Sequence, residues 1–202
     1  MSNLPDWKSA RRESARAAIV AAAWEAVGEV GLSGLAIRDL AKRAGITTPT
    51  IYVYFSSKND VYDAMFLQAA EDFEHHMTAP ASDSAPKGAL LEGARRFMEF
   101  CRADTPRYQL LFQRTIPGFE PSVDAYAPAV RALEVARNLL ASVGISDSRS
   151  LDLWTALNTG LVDQQIANDP DGERWAGLLE DAVAMFLTYV LPRRQTTRSR
   201  KP

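Results

Sequence analysis

Between Arg38 and Lys58 the chain gathers the groups a protein needs to hold a polyanion and read its bases. Hydroxyls stand at Thr47, Thr48 and Thr50, phenols at Tyr52 and Tyr54, and cations at Arg38 and Lys58. Hydroxyls and phenols can reach phosphate oxygens and base edges, cations neutralise phosphate, and an apolar side chain such as Val53 can touch a thymine methyl. Lys58 is the most telling of them. It follows Ser57, which has the chemistry of a helix cap, so its charge falls in the first turn of the next helix and opposes that helix's dipole. A cation placed against local preference points to an external anion, and a DNA phosphate would be held there by the lysine and by the open backbone N–H groups together. The competing reading of Lys58 is a solvated surface lysine.

Other chemistry is poorly represented. Glu71 with His75, and Asp72 with His76, stand four residues apart and share helix faces, but a chain with only 2 histidines, both before a loop, is not expected to hold a metal. No nucleophile elbow, phosphate-cradling glycine loop or paired-histidine zinc motif is present, and neither an enzyme nor a bound cofactor is expected. Cys101 is the sole cysteine, which excludes an intrachain disulfide and reads as a small, partly buried apolar side chain.

The elements that must position these groups are helices. Apolar residues recur at three and four throughout, without sustained alternation, so the fold is expected to be all-α. The spacing predicts helices over 14–30, 37–44, 49–55, 57–76, 89–102, 106–114, 127–143, 148–168 and 173–191. Residues 78–88, rich in Ala, Ser and Pro, read as a loop, and 116–128, with three prolines, as a connector. Ile19, Ala23, Val27 and Val30 fall on one face of the first helix, which Gly31 ends. The next two helices have the marks of a helix-turn-helix: a small residue at Ala41 where the helices cross, and Gly45 four residues later for a turn at positive φ. Leu40, Ala44, Ile46, Ile51 and Tyr54 form the apolar set expected to pack the pair; Thr47 or Thr48 can cap the second helix, and Pro49 is tolerated in its first turn.

Charge is distributed to match. Residues 1–60 carry +2, residues 61–191 carry −9, and the last eleven residues carry +5, although the whole chain of 202 residues has a net charge of only −2. The front of the chain can approach a polyanion that the middle would repel. The chain therefore divides into a three-helix DNA-binding domain over 1–57, a helical domain over 58–191 and a disordered basic tail over 192–202. No apolar run is long enough to cross a bilayer and no secretory signal opens the chain, so a cytoplasmic protein is expected.

The stretch IRDLAKRAGITTPTIYVYFSSKNDVY resembles the tetracycline-repressor (TetR) family, through Leu40, Ala41, Gly45, Ile46, Thr47, Thr50, Tyr52, Phe55 and Lys58. The resemblance implies a one-component transcriptional regulator, a repressor binding a palindromic operator in double-stranded DNA as a homodimer and released by a small-molecule effector. It places Thr47, Thr48, Thr50, Tyr52 and Tyr54 on the recognition helix and Lys58 on a phosphate. Two positions depart from the pattern. Ala36 stands where the family has a capping Thr or Ser, which weakens one phosphate contact, and Val53 replaces a larger polar residue, which removes a base hydrogen bond.

Beyond the DNA-binding part the resemblance specifies little. Aromatic residues gather in Phe97, Phe100, Tyr108, Phe112, Phe119 and Trp154; Phe100, Tyr108, Phe112 and Trp154 with Asn158 are taken as the effector site. Aromatic walls with few polar groups favour an apolar or aromatic effector. The last two helices are apolar on more than one side, and Leu161, Trp175, Leu179, Val183, Phe186 and Val190 are expected at a dimer interface, against the alternative that one chain buries them all. A dimeric DNA-binding protein without an effector is the other functional reading.

Overall fold

The computed structural model describes residues 7–79 and 85–198, with side chains described as far as Leu191. Among the described residues all regular structure is helical. In order these are α1 (Trp7–Val30), α2 (Ile37–Arg43), α3 (Thr48–Tyr54), α4 (Lys58–Thr78), α5 (Pro86–Ala103), α6 (Thr105–Phe112), α7 (Val123–Ser142), α8 (Ser148–Asn168) and α9 (Leu179–Arg198), with a single 3-10 turn at Ala176–Leu178 before α9. None of these helices is long and apolar enough to cross a membrane.

The all-α expectation holds, and the ends of the elements differ for local reasons. Helix α1 starts at Trp7 rather than Ser14: the added residues include Lys8, Ala10, Arg11, Arg12 and Glu13, which favour helix, and Arg12 among them is tied to α3. Val30, expected on its apolar face, is exposed, while Val20 and Ala26 join Ile19, Ala23 and Val27 in the core. Pro86 opens α5 inside the stretch read as a loop, since a first-turn proline gives up an N–H that would have no partner there. Helix α7 starts at Val123, so Pro128 lies within it and not in a connector; the ring is buried, and its packing offsets the lost backbone bond. Helix α9 continues to Arg198, through most of the stretch read as a tail, because extending a formed helix needs no apolar face. The rest of that stretch, 199–202, lies outside the described residues.

Two compact units result, each with its own core. Of the described residues, those up to Ala70 together with Pro106–Ala127 form one, and Glu71–Thr105 together with those from Pro128 onward form the other. The first unit thus extends past residue 57. Its reason is packing: Tyr62 and Phe66, beyond that boundary, are buried, and Phe119 lies 5.6 Å from Tyr62 between ring centroids. Ser57 marks where a helix begins, which is not where the core ends.

In the second unit, Leu90, Ala94, Met98 and Cys101 form the buried stripe of α5, and burial pushes the Cys101 thiol up, leaving it protonated. Phe73 meets Phe100 at 5.0 Å and Phe97 at 6.0 Å, and Trp154 of α8 meets Phe186 of α9 at 5.3 Å. Arg131 grips Glu74 with two bonds of 2.6 and 2.7 Å, which hold the Glu74 carboxyl below its ordinary range. The turn from α8 into α9 is organised by Gln165, which is 0% exposed. Its Oε1 accepts from the backbone N–H groups of Trp175 and Ala176 at 2.9 Å each, while its Nε2 donates to Gly172 O at 3.0 Å and to Asp169 O.

Candidate nucleic-acid interface

Helix α2 ends in a turn that needs glycine. Gly45 has φ +67°, its N–H donates to Lys42 O at 3.2 Å, and the N–H of Ile46 donates to Ala41 O at 3.0 Å. This pair of bonds is the Schellman closure, in which the left-handed residue satisfies the last carbonyls of the helix. Thr47 then caps α3: its Oγ1 accepts from Thr50 N at 3.3 Å and lies 2.8 Å from Thr50 Oγ1, so the two hydroxyls share a bond. Ala36, at the cap of α2, makes no side-chain cap bond, as its methyl requires.

The inward side of the pair is apolar. Leu40, Ala41 and Ile51 are buried, and so is Phe55; Ala44, Ile46 and Tyr54, expected in the same set, are only half-buried. Phe55, rather than Tyr54, is the aromatic residue of that buried set. The outward side is presented to solvent. Tyr52 is 50% and Val53 63% exposed, Arg38 and Thr47 are exposed, and Thr48 and Thr50 are half-buried.

Arg12 and Arg16 were missed in the sequence. Arg16 Nη1 donates to Tyr54 O at 2.5 Å and Arg12 Nη2 to Val53 O at 3.3 Å, while the Arg16 guanidinium lies 4.2 Å from the centre of the Phe55 ring. Two cations thus close the carbonyl end of α3, where the helix dipole favours them, and fix that helix against α1. Their spacing of four within a helix-favouring stretch was the available signal. Arg43, by contrast, is committed to α1 through Glu29 at 2.5 Å and Glu25 at 3.6 Å.

Lys58 is the first residue of α4. Ser57 Oγ accepts from Asp60 N at 3.1 Å, Asp60 Oδ1 accepts from Ser57 Oγ at 2.7 Å, and Asp60 Oδ2 accepts from Ser56 N at 2.9 Å. This reciprocal cap fixes the turn that carries the lysine. The ammonium itself sits 5.3 Å from the centre of the Tyr62 ring, so it has an internal partner as well as a solvent-facing position. Tyr62 in turn donates its hydroxyl to Leu32 O at 2.5 Å.

Hydrogen bonds, first from Ser57 and then from Ser56, hold the Asp60 carboxyl below its ordinary value of 3.8. A depressed carboxylate contributes stability that is present above that value and lost as pH falls through the lower, folded one. Asp60→Ala is expected to cost about 1 kcal/mol at pH 7. The gap from wild type in urea denaturation should narrow as the pH falls below 3.8; a gap unchanged by acid would show that the cap is not carried by the ionised form.

A glycine-turned pair of short helices, packed on α1 and showing an outward face of tyrosine, threonine and arginine, defines a helix-turn-helix DNA-binding protein. Residues 19–65 match the family model described as bacterial regulatory proteins, tetR family. The chain is 26% identical over 167 residues to the tetracycline repressor class A from transposon 1721 of Escherichia coli, covering 81% of this chain and 73% of that one. A tetR-family transcriptional regulator from Streptomyces coelicolor superposes with a TM-score of 0.66 at 20% identity, over 93% of this chain and 88% of that chain. A TetR variant from Acinetobacter baumannii AYE in complex with minocycline superposes at 0.59 with 24% identity, over 85% and 95%. Residues 19–65 thus carry a DNA-binding domain of the tetR type, and the chain resembles TetR-family regulators over most of its length.

The residues named for the effector divide between the units. Tyr108 and Phe112 belong to the first, 5.5 Å apart between ring centroids, with Tyr108 buried and Phe112 at the surface. Phe100, Trp154 and Asn158 belong to the second; His76 packs on Phe100, Trp154 on Phe186, and Asn158 Nδ2 donates to Trp154 O at 2.8 Å. Of the residues named for dimerisation, Leu179, Val183, Phe186 and Val190 are buried within their own chain, and Leu161 and Trp175 are half-buried. The apolar side chains of α8 and α9 that reach solvent are others, Leu153, Met185 and Tyr189.

Proposed function

We propose that this regulator is a repressor that binds a near-palindromic operator as a two-fold dimer and leaves it when a small apolar or aromatic effector binds. The observation that carries the reading is the outward face of α3 with Lys58 beside it: Tyr52 and Val53 are exposed for base edges and methyl groups, and the capped first turn of α4 offers a cation to phosphate. Thr47 and Thr50, already bonded to each other, serve as positioned acceptors at the start of α3. A relative named as a tetracycline repressor, and a neighbour solved with minocycline, support a small-molecule effector for this chain as well.

The dimer is assigned to α8 and α9. Their inward stripe stabilises each protomer, and Leu153, Met185 and Tyr189 give a partner apolar surface that one chain leaves in water. Two-fold symmetry then places the two α3 helices in successive major grooves, with half-sites about one helical turn or more apart. Met185, at 62% exposure, makes little contact within its own chain, so Met185→Lys should leave the fold intact while moving sedimentation from dimer toward monomer. A variant that sediments as wild type does, at micromolar concentration, would place the interface elsewhere.

Operator binding is tested with a duplex selected from a random pool by the full chain. Wild type should bind the selected duplex with strong salt dependence, and no enrichment of any sequence would remove the reading.

A further inference from the structure

Helix α1 outruns the core it serves. Its first buried residue is Ile19, so the stretch from Trp7 to Ala18, about 18 Å of helix at roughly 1.5 Å per residue, places no side chain in the interior. That stretch carries Lys8, Arg11, Arg12 and Arg16 against a single acid, Glu13. The first turn, where the helix dipole favours an acid, has none and holds Lys8 instead. Lys8, Arg12 and Arg16 recur every four residues and so share one side of the helix, with Arg11 beside them and Glu13 on another side.

Helix α3 fixes the direction of this stripe. Arg16 donates to Tyr54 O, and its guanidinium lies 4.2 Å from the ring centre of the buried Phe55. Arg12, one turn nearer the start of α1, donates at 3.3 Å to the carbonyl of Val53, whose side chain is exposed on the outward face of α3. Toward its own start, α1 therefore passes from the interior of the helix-turn-helix to the side on which α3 meets solvent. Lys8 is the next residue on the stripe, about 6 Å further along the axis. Its ammonium lies 5.7 Å from the centre of the Trp7 ring, and Trp7, Lys8, Arg11 and Arg12 are all exposed. A helix lying in a major groove is bordered by phosphate backbones, and cations carried outward beside its carbonyl end are placed to meet one of them.

From this geometry we propose that the first turns of α1 make a further contact with DNA, in which Lys8 and Arg11 hold phosphates of the backbone bordering the groove that α3 enters. This contact rests on the reading of α3 as the DNA-binding helix and lies outside the helix-turn-helix. Phosphate carries no sequence information, so the contact sets the strength of binding and the seating of α3, and leaves the choice of bases to α3 itself.

The test removes both charges in one chain, as Lys8→Gln with Arg11→Gln. Neither side chain belongs to the core, so the melting temperature should match wild type. Affinity should fall about ten-fold for the selected duplex and for an unrelated duplex of equal length alike, and the slope of log affinity against log salt should decrease by about one unit for each charge removed from each bound chain. Lys8→Arg with Arg11→Lys keeps both charges and should bind as wild type does. Replacing the phosphates of the selected duplex one at a time by uncharged methylphosphonate locates the contact: at one or two positions the replacement should weaken wild type about three-fold or more and leave the double glutamine variant unaffected, while Lys58→Ala stays sensitive there. Wild-type affinity and slope in the double glutamine variant, an equal loss in the charge-conserving variant, or the same set of sensitive phosphates in wild type and in the double glutamine variant would each overturn the proposal, the last because the two charges would then act only at a distance. A chain that selects no duplex defeats the reading of α3 and this contact together, whereas a selected duplex bound equally by wild type and the double glutamine variant defeats only the contact.

Discussion

Tyr52→Ala is expected to weaken binding to the selected operator by about 1–3 kcal/mol, roughly 5- to 150-fold, while changing affinity for unrelated duplexes far less. The ring is half exposed on the outward side of α3 and makes no part of the buried set, so its removal should not alter the melting temperature. Lys58→Ala should do the opposite in kind. It removes a cation from a capped helix start, so affinity falls for every sequence, and the slope of log affinity against log salt decreases by about one unit. The loss of the Tyr62 contact is the complication. Lys58→Gln, which keeps a long polar side chain, should show the same change in slope if charge is the cause. Two variants with wild-type affinity and slope would mean that α3 and the start of α4 do not face DNA.

The other large effect is structural. Gln165→Leu preserves volume at a fully buried position but leaves the N–H groups of Trp175 and Ala176 without the partner they share, while Asp169 O keeps a bond from Gly172 N at 3.2 Å. Gly172 O keeps a bond from Arg102 Nη2 at 2.7 Å. At about 1–3 kcal/mol for each polar group stranded away from water, a loss of about 3–5 kcal/mol is expected. That is large against the total stability of an ordinary domain, and it should be read as a lower urea midpoint with the unfolding slope unchanged. A loss below about 1 kcal/mol would show that water replaces the side chain at this turn.

The helix-turn-helix was legible because each of its parts obeys a local rule. Gly45 is required by a backbone angle, Thr47 by an unsatisfied N–H, and Ala41 and Ile51 by the closeness of two helices, and all of these are decided within a few residues of chain. Lys58 was found by the same means, since an unfavourable charge in a helix's first turn is visible without a fold. Arg12 and Arg16 were not, because their partners are carbonyls more than thirty residues away and periodicity carries no sign of them. Helix α9 shows the limit of reading apolar stripes. Both Val183 and Met185 lie on apolar surface, but which of the two faces its own chain depends on what α5 and α8 place beside it. Aromatic residues chosen at helical spacing met the same difficulty: Trp154 turned out to be core packing against Phe186, whereas Phe66 and Tyr126, which had not been chosen, line an open space.

The central claim, that α3 and Lys58 present this chain to operator DNA, is tested most directly by the salt-dependent affinity of the full-length protein for its selected duplex, measured beside a scrambled duplex of equal length. The account predicts an enriched sequence with two inverted half-sites, specific binding at least a thousand-fold tighter than to the scrambled duplex, and affinity that falls steeply with salt for both. Equal affinity for the two duplexes, or binding indifferent to salt, would contradict it.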